Sequence, residues 1–253
     1  MRRLDVRDLA SSLLVLLAVG AAWWLASHLQ WVSKVFLPTP ESAGRALASG
    51  LTEGDLAAFT LATVVRMLLG WLLASLLGIA LGALIGSSAA ARAWLQPTLE
   101  LVRPVPASAL LPLAIALFGL SAGMVLAVVA FGAMWPVLLA TVHGFASVHA
   151  RLREVATALQ LSRPAFAIDI GLPNAMPDIL AGMRLSMTVA LIVAVVGEMI
   201  ASQPGLGQTI LLAAHSFRAA DLFAGVILLG AIGFASNALL AIAERRLLRW
   251  QRG

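Results

Sequence analysis

Residues 59–86 read FTLATVVRMLLGWLLASLLGIALGALIG, an apolar run interrupted by a single charge, Arg66. A hydrocarbon core about 30 Å thick is crossed by ~20 helical residues, so this run is long enough to span a bilayer on its own. Ala74, Gly78, Gly82 and Gly86 recur every four residues and place small side chains along one helix face, where another backbone can approach closely. The rest of the chain has the same character. Of its 253 residues, 61% are hydrophobic and 11% charged. Soluble domains carry a charged fraction of roughly 25%. The composition therefore predicts an all-α membrane protein of about six transmembrane helices, with no room for a soluble catalytic domain.

Working outward, residues 9–29 (LASSLLVLLAVGAAWWLASHL) follow MRRLDVRD. The small residues near Gly20 resemble a signal-peptide cleavage site, but the run outlasts an h-region and ends in Trp23, Trp24 and Trp31, which suits an uncleaved first span with an interfacial belt. A polar loop with a short helix starting after Pro40 comes next. The third apolar stretch, residues 107–120, is short and broken by Pro112, and residues 124–145 carry Pro136, so kinked spans are expected. Pro177 and Asp178 read as the start of a fifth span through Ala201, and the last runs from about Leu222 to Ala243. The domain reading is an anchor helix and outer loop over 1–58, a core over 59–247 and a tail over 248–253.

Charge sets an orientation. With the N-terminus inside, the inner segments hold Arg2, Arg3, Arg7, Arg92, Arg103, Arg151, Arg153, Arg163, Arg245, Arg246, Arg249 and Arg252, twelve of the 17 basic residues. This bias puts both termini and residues 150–175 in the cytoplasm. The basic residues form short clusters between apolar runs, which fits lipid headgroups and argues against nucleic acid. Cysteine is absent, and the four histidines lack metal-ligand spacing, so neither metal nor cofactor is expected.

Residues 153–184 (REVATALQLSRPAFAIDIGLPNAMPDILAGMR) interrupt the apolar pattern with a charged, proline-punctuated island. Val155 and Leu159 are spaced for one face of a short exposed helix, and Ser162 is placed to cap a second one with Pro164 in its first turn. About 30 residues is long for a connection between helices, and long ordered loops tend to bind something.

The island resembles the signature of the permease subunits of bacterial ABC importers that work with a binding protein: Glu154, Val155 and Ala156, then Ile170, Gly171, Leu172 and Pro173. The stretches 177–184 (PDILAGMR), 198–207 (EMIASQPGLG) and 37–40 (LPTP) are similar to the branch serving sulfonates, taurine and nitrate. The resemblance implies a type I importer permease of the bacterial inner membrane, working as a homodimer with two copies of a cytoplasmic ATP-binding subunit and a periplasmic or extracellular solute-binding protein. It implies that Glu154, Val155, Ala156, Leu159, Gln160, Ser162, Leu172 and Pro173 dock the ATPase. Gln160 stands where the family has glycine, so the turn is either rebuilt or strained. No phosphate-cradling loop of the form G-x-x-x-x-G-K-S/T is present, so ATP hydrolysis falls to a partner chain.

Charges within spans are costly and usually paired or turned to water. Arg66, Arg184 and Glu198, with Gly205 and Gly207 in the SQPGLG turn, are therefore the pathway or gate residues to examine. The rival reading is an ATPase-independent secondary transporter or channel, which needs an intramembrane proton or ion relay; only Glu198 offers one.

Overall fold

The computed structural model describes residues 6–102 and 104–248. Arg2, Arg3, Arg103, Arg249 and Arg252 of the charge count, and 249–253 of the tail, lie outside the described residues. All regular structure among the described residues is helical: α1 Val6–His28, α2 Pro40–Thr52, α3 Leu56–Gly86, α4 Ala89–Val102, α5 Leu111–Phe118 after a 3-10 turn at Ala107–Leu110, α6 Ala122–Ala146, α7 Ala150–Ala158, α8 Arg163–Phe166, a π turn at Ala167–Gly171, α9 Leu172–Ala201, α10 Leu206–His215 and α11 Ala219–Leu247.

Among the described residues, four runs are long and apolar enough to cross a membrane: α3, α6, the stretch Arg163–Ala201, and α11. A fifth is the pair α4 and Ala107–Phe118, bent by 80°. The six crossings of the sequence reading thus include these four long runs and the bent pair, and the first of them falls on α1, Val6–His28.

Two boundaries also differ. Pro112 does not break its span, because it sits in the first turn of α5, where its missing N–H has no intrahelical partner to lose. The interruption falls earlier, between Val102 and Ala107. The fifth span does not begin at Pro177 either. Pro177 lies inside α9, which the π turn joins to α8 in one 39-residue run.

The described chain forms two compact units, residues 6–59 with 209–229, and residues 60–208 with 230–248. In the first, Thr39 caps α2 by accepting from the Ser42 N–H (3.3 Å), with Pro40 in the first turn. The indole N–H of Trp23 donates to Pro38 O and that of Trp24 to Glu41 Oε1, each at 2.9 Å, so both rings anchor α1 to the polar loop. Hydrogen bonding at the α2 N-terminus holds the exposed Glu41 carboxyl below the usual carboxylate range, its own backbone N–H being the chief cause.

In the second unit α6 is central. Lipid gives no hydrophobic drive for helices to associate, so close packing must hold them, and small residues permit it. The α3 stripe meets α6 step for step: a Cβ at Gly78 would lie 2.9 Å from Val137 Cβ, and one at Gly82 would lie 2.8 Å from Leu138 O. Ala74 on the same stripe is fully buried. On the α9 side, Gly182 faces Pro136 O and Ala140, and Gly197 faces Val125. The α6 helix continues through Pro136 as one element, and the buried Ser186 hydroxyl donates to Ala133 O (2.6 Å), three residues before the proline.

We expect Gly82→Val to cost about 1–3 kcal/mol or more, because the α3 and α6 backbones must separate. Gly230→Ala, at a site with nothing within 4 Å, is expected to be neutral. Thermal unfolding of the two purified variants in detergent checks the contrast.

Candidate functional site

Two clusters stand out, at opposite ends of α9. The first is the island. His149 caps α7, its Nδ1 accepting from the Arg151 N–H (3.2 Å), and Ser162 caps α8, its Oγ accepting from the Ala165 N–H (3.3 Å). The helix, turn and second helix lie where the spacing of Val155, Leu159, Ser162 and Pro164 puts them. Leu152, Val155 and Leu159, spaced by three and four residues, form an exposed apolar stripe, and Glu154 is exposed beside it. Ala156 turns inward and is buried.

Gln160 resolves the question its side chain raised. Its φ is +50°, so the left-handed turn is kept despite the Cβ. The strain is roughly 1 kcal/mol. It is borne because Leu161 N–H donates to Ala156 O (3.0 Å) and closes the helix end. Gln160→Gly is accordingly expected to stabilise the protein by about 0.5–1 kcal/mol, part of the relief being lost to the freer unfolded chain. A small rise in the thermal midpoint measures it.

The island is fastened to α6 by residues the sequence reading left unassigned. Arg153 donates from Nε to Val148 O (3.2 Å) and from Nη2 to Phe145 O and Ala146 O (both 3.1 Å), capping the carbonyl end of α6. Asn174 Nδ2 donates to Gly144 O (2.9 Å) and to Ser147 Oγ (3.2 Å). Gly144 lies against Ala175, and Gly171 against the Phe145 ring, contacts that leave no room for a Cβ. Leu172 and Pro173 occupy the first turn of α9, where Leu172 packs against the cluster of Phe145, Ala175 and Ile179 and Pro173 is exposed. An arginine shortly past the end of a spanning helix was the available signal for Arg153. For Asn174 there was none, because its partners come from 27 and 30 residues away.

The second cluster surrounds Glu198, which is completely buried in α9. Arg66 of α3 pairs with its Oε1, the arginine side chain being only 12% exposed. Oε2 accepts from Thr63 Oγ1 (3.0 Å) and from the Gly207 N–H (2.9 Å). Thr63 Oγ1 in turn accepts from the Leu206 N–H (2.9 Å), and Arg66 Nη2 donates to Pro204 O (3.4 Å). The carboxylate thus fixes α3, α9 and residues 204–207 together. Both glycines are required by this geometry: a Cβ at Gly205 would meet the Glu198 carboxylate, and one at Gly207 would meet Val195 O. Ser202 ends α9 in a left-handed conformation, with the Gln203 N–H bonded to Glu198 O (3.1 Å). Arg66, Glu198, Gly205 and Gly207 therefore come together, while Arg184 stands apart and pairs with Glu244 of α11 at 3.6 Å.

Between the clusters, α6, α9 and residues 105–108 line an open cavity of about 530 Å³, with Ser108, Trp135, Leu139, Leu185, Val189 and Ile192 among its walls. Its walls are largely apolar and carry no charge among the described residues. The described residues hold no group of three or more His, Cys, Asp or Glu placed to bind a metal.

Comparison with known proteins adds independent findings. Residues 74–251 match the family described as binding-protein-dependent transport system inner membrane component. The chain is 33% identical over 239 residues to a Bacillus subtilis protein provisionally named an aliphatic sulfonates transport permease, covering 94% of this chain and 87% of the relative. It is 33% identical over 250 residues to the taurine transport system permease protein of Escherichia coli, covering 96% and 90%. Against the nitrate import permease protein of Leptolyngbya laminosa the identity is 30% over 187 residues, covering 74% and 67%.

Proposed function

Because this chain belongs to the family of binding-protein-dependent transport system inner membrane components, and is therefore a non-catalytic, multi-pass ABC importer permease subunit, we propose that it forms one half of a homodimeric pore for a small organic anion. An aliphatic sulfonate or taurine is the substrate class proposed, with nitrate behind them, by analogy with what the relatives' names state. Two copies of an ATP-binding subunit dock from the cytoplasm and a solute-binding protein delivers cargo from outside, the termini being cytoplasmic.

The observation that carries this reading is the exposed Leu152, Val155 and Leu159 stripe on a helix that Arg153 bolts to the end of α6, where Asn174 also fastens the start of α9. A docking surface must transmit force as well as bind. An ATP-driven movement of α7 would pass through these bonds into α6, and from there into α3 and α9 as rigid-body motion. The SQPGLG turn, held by Glu198, is the proposed outer gate element. The apolar cavity beside Trp135 is the proposed stretch of pathway, whose lack of charge suits transient contact with cargo selected elsewhere. The ATPase-independent reading loses its one acid, since Glu198 is enclosed by Arg66, Thr63 and Gly207.

The test is reconstitution in proteoliposomes with the co-expressed ATPase and binding protein. Uptake of labelled taurine or an alkyl sulfonate that requires ATP and binding protein is the expected result. Uptake indifferent to ATP would overturn the importer mechanism, and ATP-dependent uptake of neither anion would overturn the substrate class alone.

A further inference from the structure

Where α3 ends and α4 begins, Ser87 and Ser88 face α7 and α8 across a cavity of about 810 Å³. Its lining is graded along α3. Ala80, Ala83 and Leu84 form the part nearer the middle of the span, and Ser87 and Ser88 the part at its end. At the helical rise per residue, Ala80 and Gly86 are separated by about 9 Å along the axis, and Ser87 and Ser88 follow in the turn after α3. The opposite wall repeats the mixture, with Leu161 and Phe166 beside Arg153, Thr157 and Arg163. Two arginines line the cavity and, among the described residues, no acid does.

These cations are not spent. Arg163 makes no ion pair among the described residues. The bonds of Arg153 to the end of α6 use Nε and Nη2, leaving Nη1 for another acceptor. Ser88 caps α4, its Oγ accepting from the Ala91 N–H at 3.2 Å. The positive end of this helix therefore starts at the same wall. Leu84, 69% exposed, carries the apolar wall onto the outer face of α3.

We propose that this cavity binds the headgroup of an anionic phospholipid, its phosphate held by Arg163 and Arg153 and its upper acyl chain lying along Leu84. Hydroxyls at the end of α3, two arginines on the facing wall and an apolar strip further along α3 match a phospholipid and not a free soluble anion, which would gain nothing from the apolar strip. Basic pockets between spanning helices at headgroup depth are suited to such lipids. The occupant would bridge α3 to the α7–α8 segment. The inference does not depend on the transport reading, because lipid retention is measured on the chain itself.

The experiment purifies the full chain from bilayers of equal phosphatidylglycerol and phosphatidylcholine and counts retained lipid by native mass spectrometry. The expected result is selective retention of phosphatidylglycerol, reduced about tenfold or more by Arg163→Ala, the scale of one lost charge-assisted hydrogen bond, and largely kept by Arg163→Lys. Equal retention of both lipids, or unchanged phosphatidylglycerol in Arg163→Ala, would overturn the proposal. Displacement of the lipid by millimolar glycerol phosphate would overturn the lipid assignment in favour of a soluble anion. Arg163 is exposed, so an unchanged thermal midpoint in the alanine variant is expected to show that the fold is intact.

Discussion

Glu198→Ala is expected to destabilise the protein by about 3–5 kcal/mol, the scale of removing one partner of a buried ion pair. The loss has three parts. Arg66 is left largely enclosed without its carboxylate, and the Thr63 hydroxyl and the Gly207 N–H lose their common acceptor. Glu198→Gln is expected to cost less, since an amide oxygen still accepts from Gly207 or Thr63. The double variant Arg66→Met with Glu198→Leu is expected to recover much of the loss by removing the orphaned charge. A residual of about 1–3 kcal/mol remains because Gly207 N–H is still unsatisfied. Thermal unfolding of the three variants in detergent measures this order. Recovery failing in the double variant would show that the pair itself, and not the stranded arginine, carries the stability.

The second large effect concerns docking. Val155→Asp combined with Leu159→Asp is expected to abolish co-purification of the ATP-binding subunit and to reduce uptake by about 100-fold or more. Burying two such apolar side chains at an interface is worth roughly 1.5–3 kcal/mol each, and a carboxylate in their place adds a desolvation cost. Both side chains are exposed in the chain, 47% and 66%. Its own stability is therefore expected to stay within about 0.5 kcal/mol of wild type. Ala156 provides the contrast. It is buried under the same helix, so Ala156→Asp is expected to unfold the α7 joint rather than to act on docking alone. A pull-down beside a thermal midpoint separates the two. ATPase association unchanged in the Val155 and Leu159 double variant would sink the coupling assignment.

The membrane spans were legible in the sequence because they follow from local properties. An apolar run as long as residues 59–86 cannot be solvated, and Ala74, Gly78, Gly82 and Gly86 share a face by helical periodicity alone. The cap at Ser162 involves a partner three residues away, so residue type and spacing were enough to locate the start of α8. Periodicity could not show that the run through Pro177 is continuous, since a π turn depends on how the chain packs as well as on what it contains. Nor could it join Arg66 to Glu198 across 132 residues, or Arg153 to the end of α6. At the level of the sequence Arg66 could snorkel to the membrane edge or find a partner within the fold. The tertiary structure decides between them because burial makes an unpaired charge or carbonyl expensive, and only the folded helices bring a partner within reach.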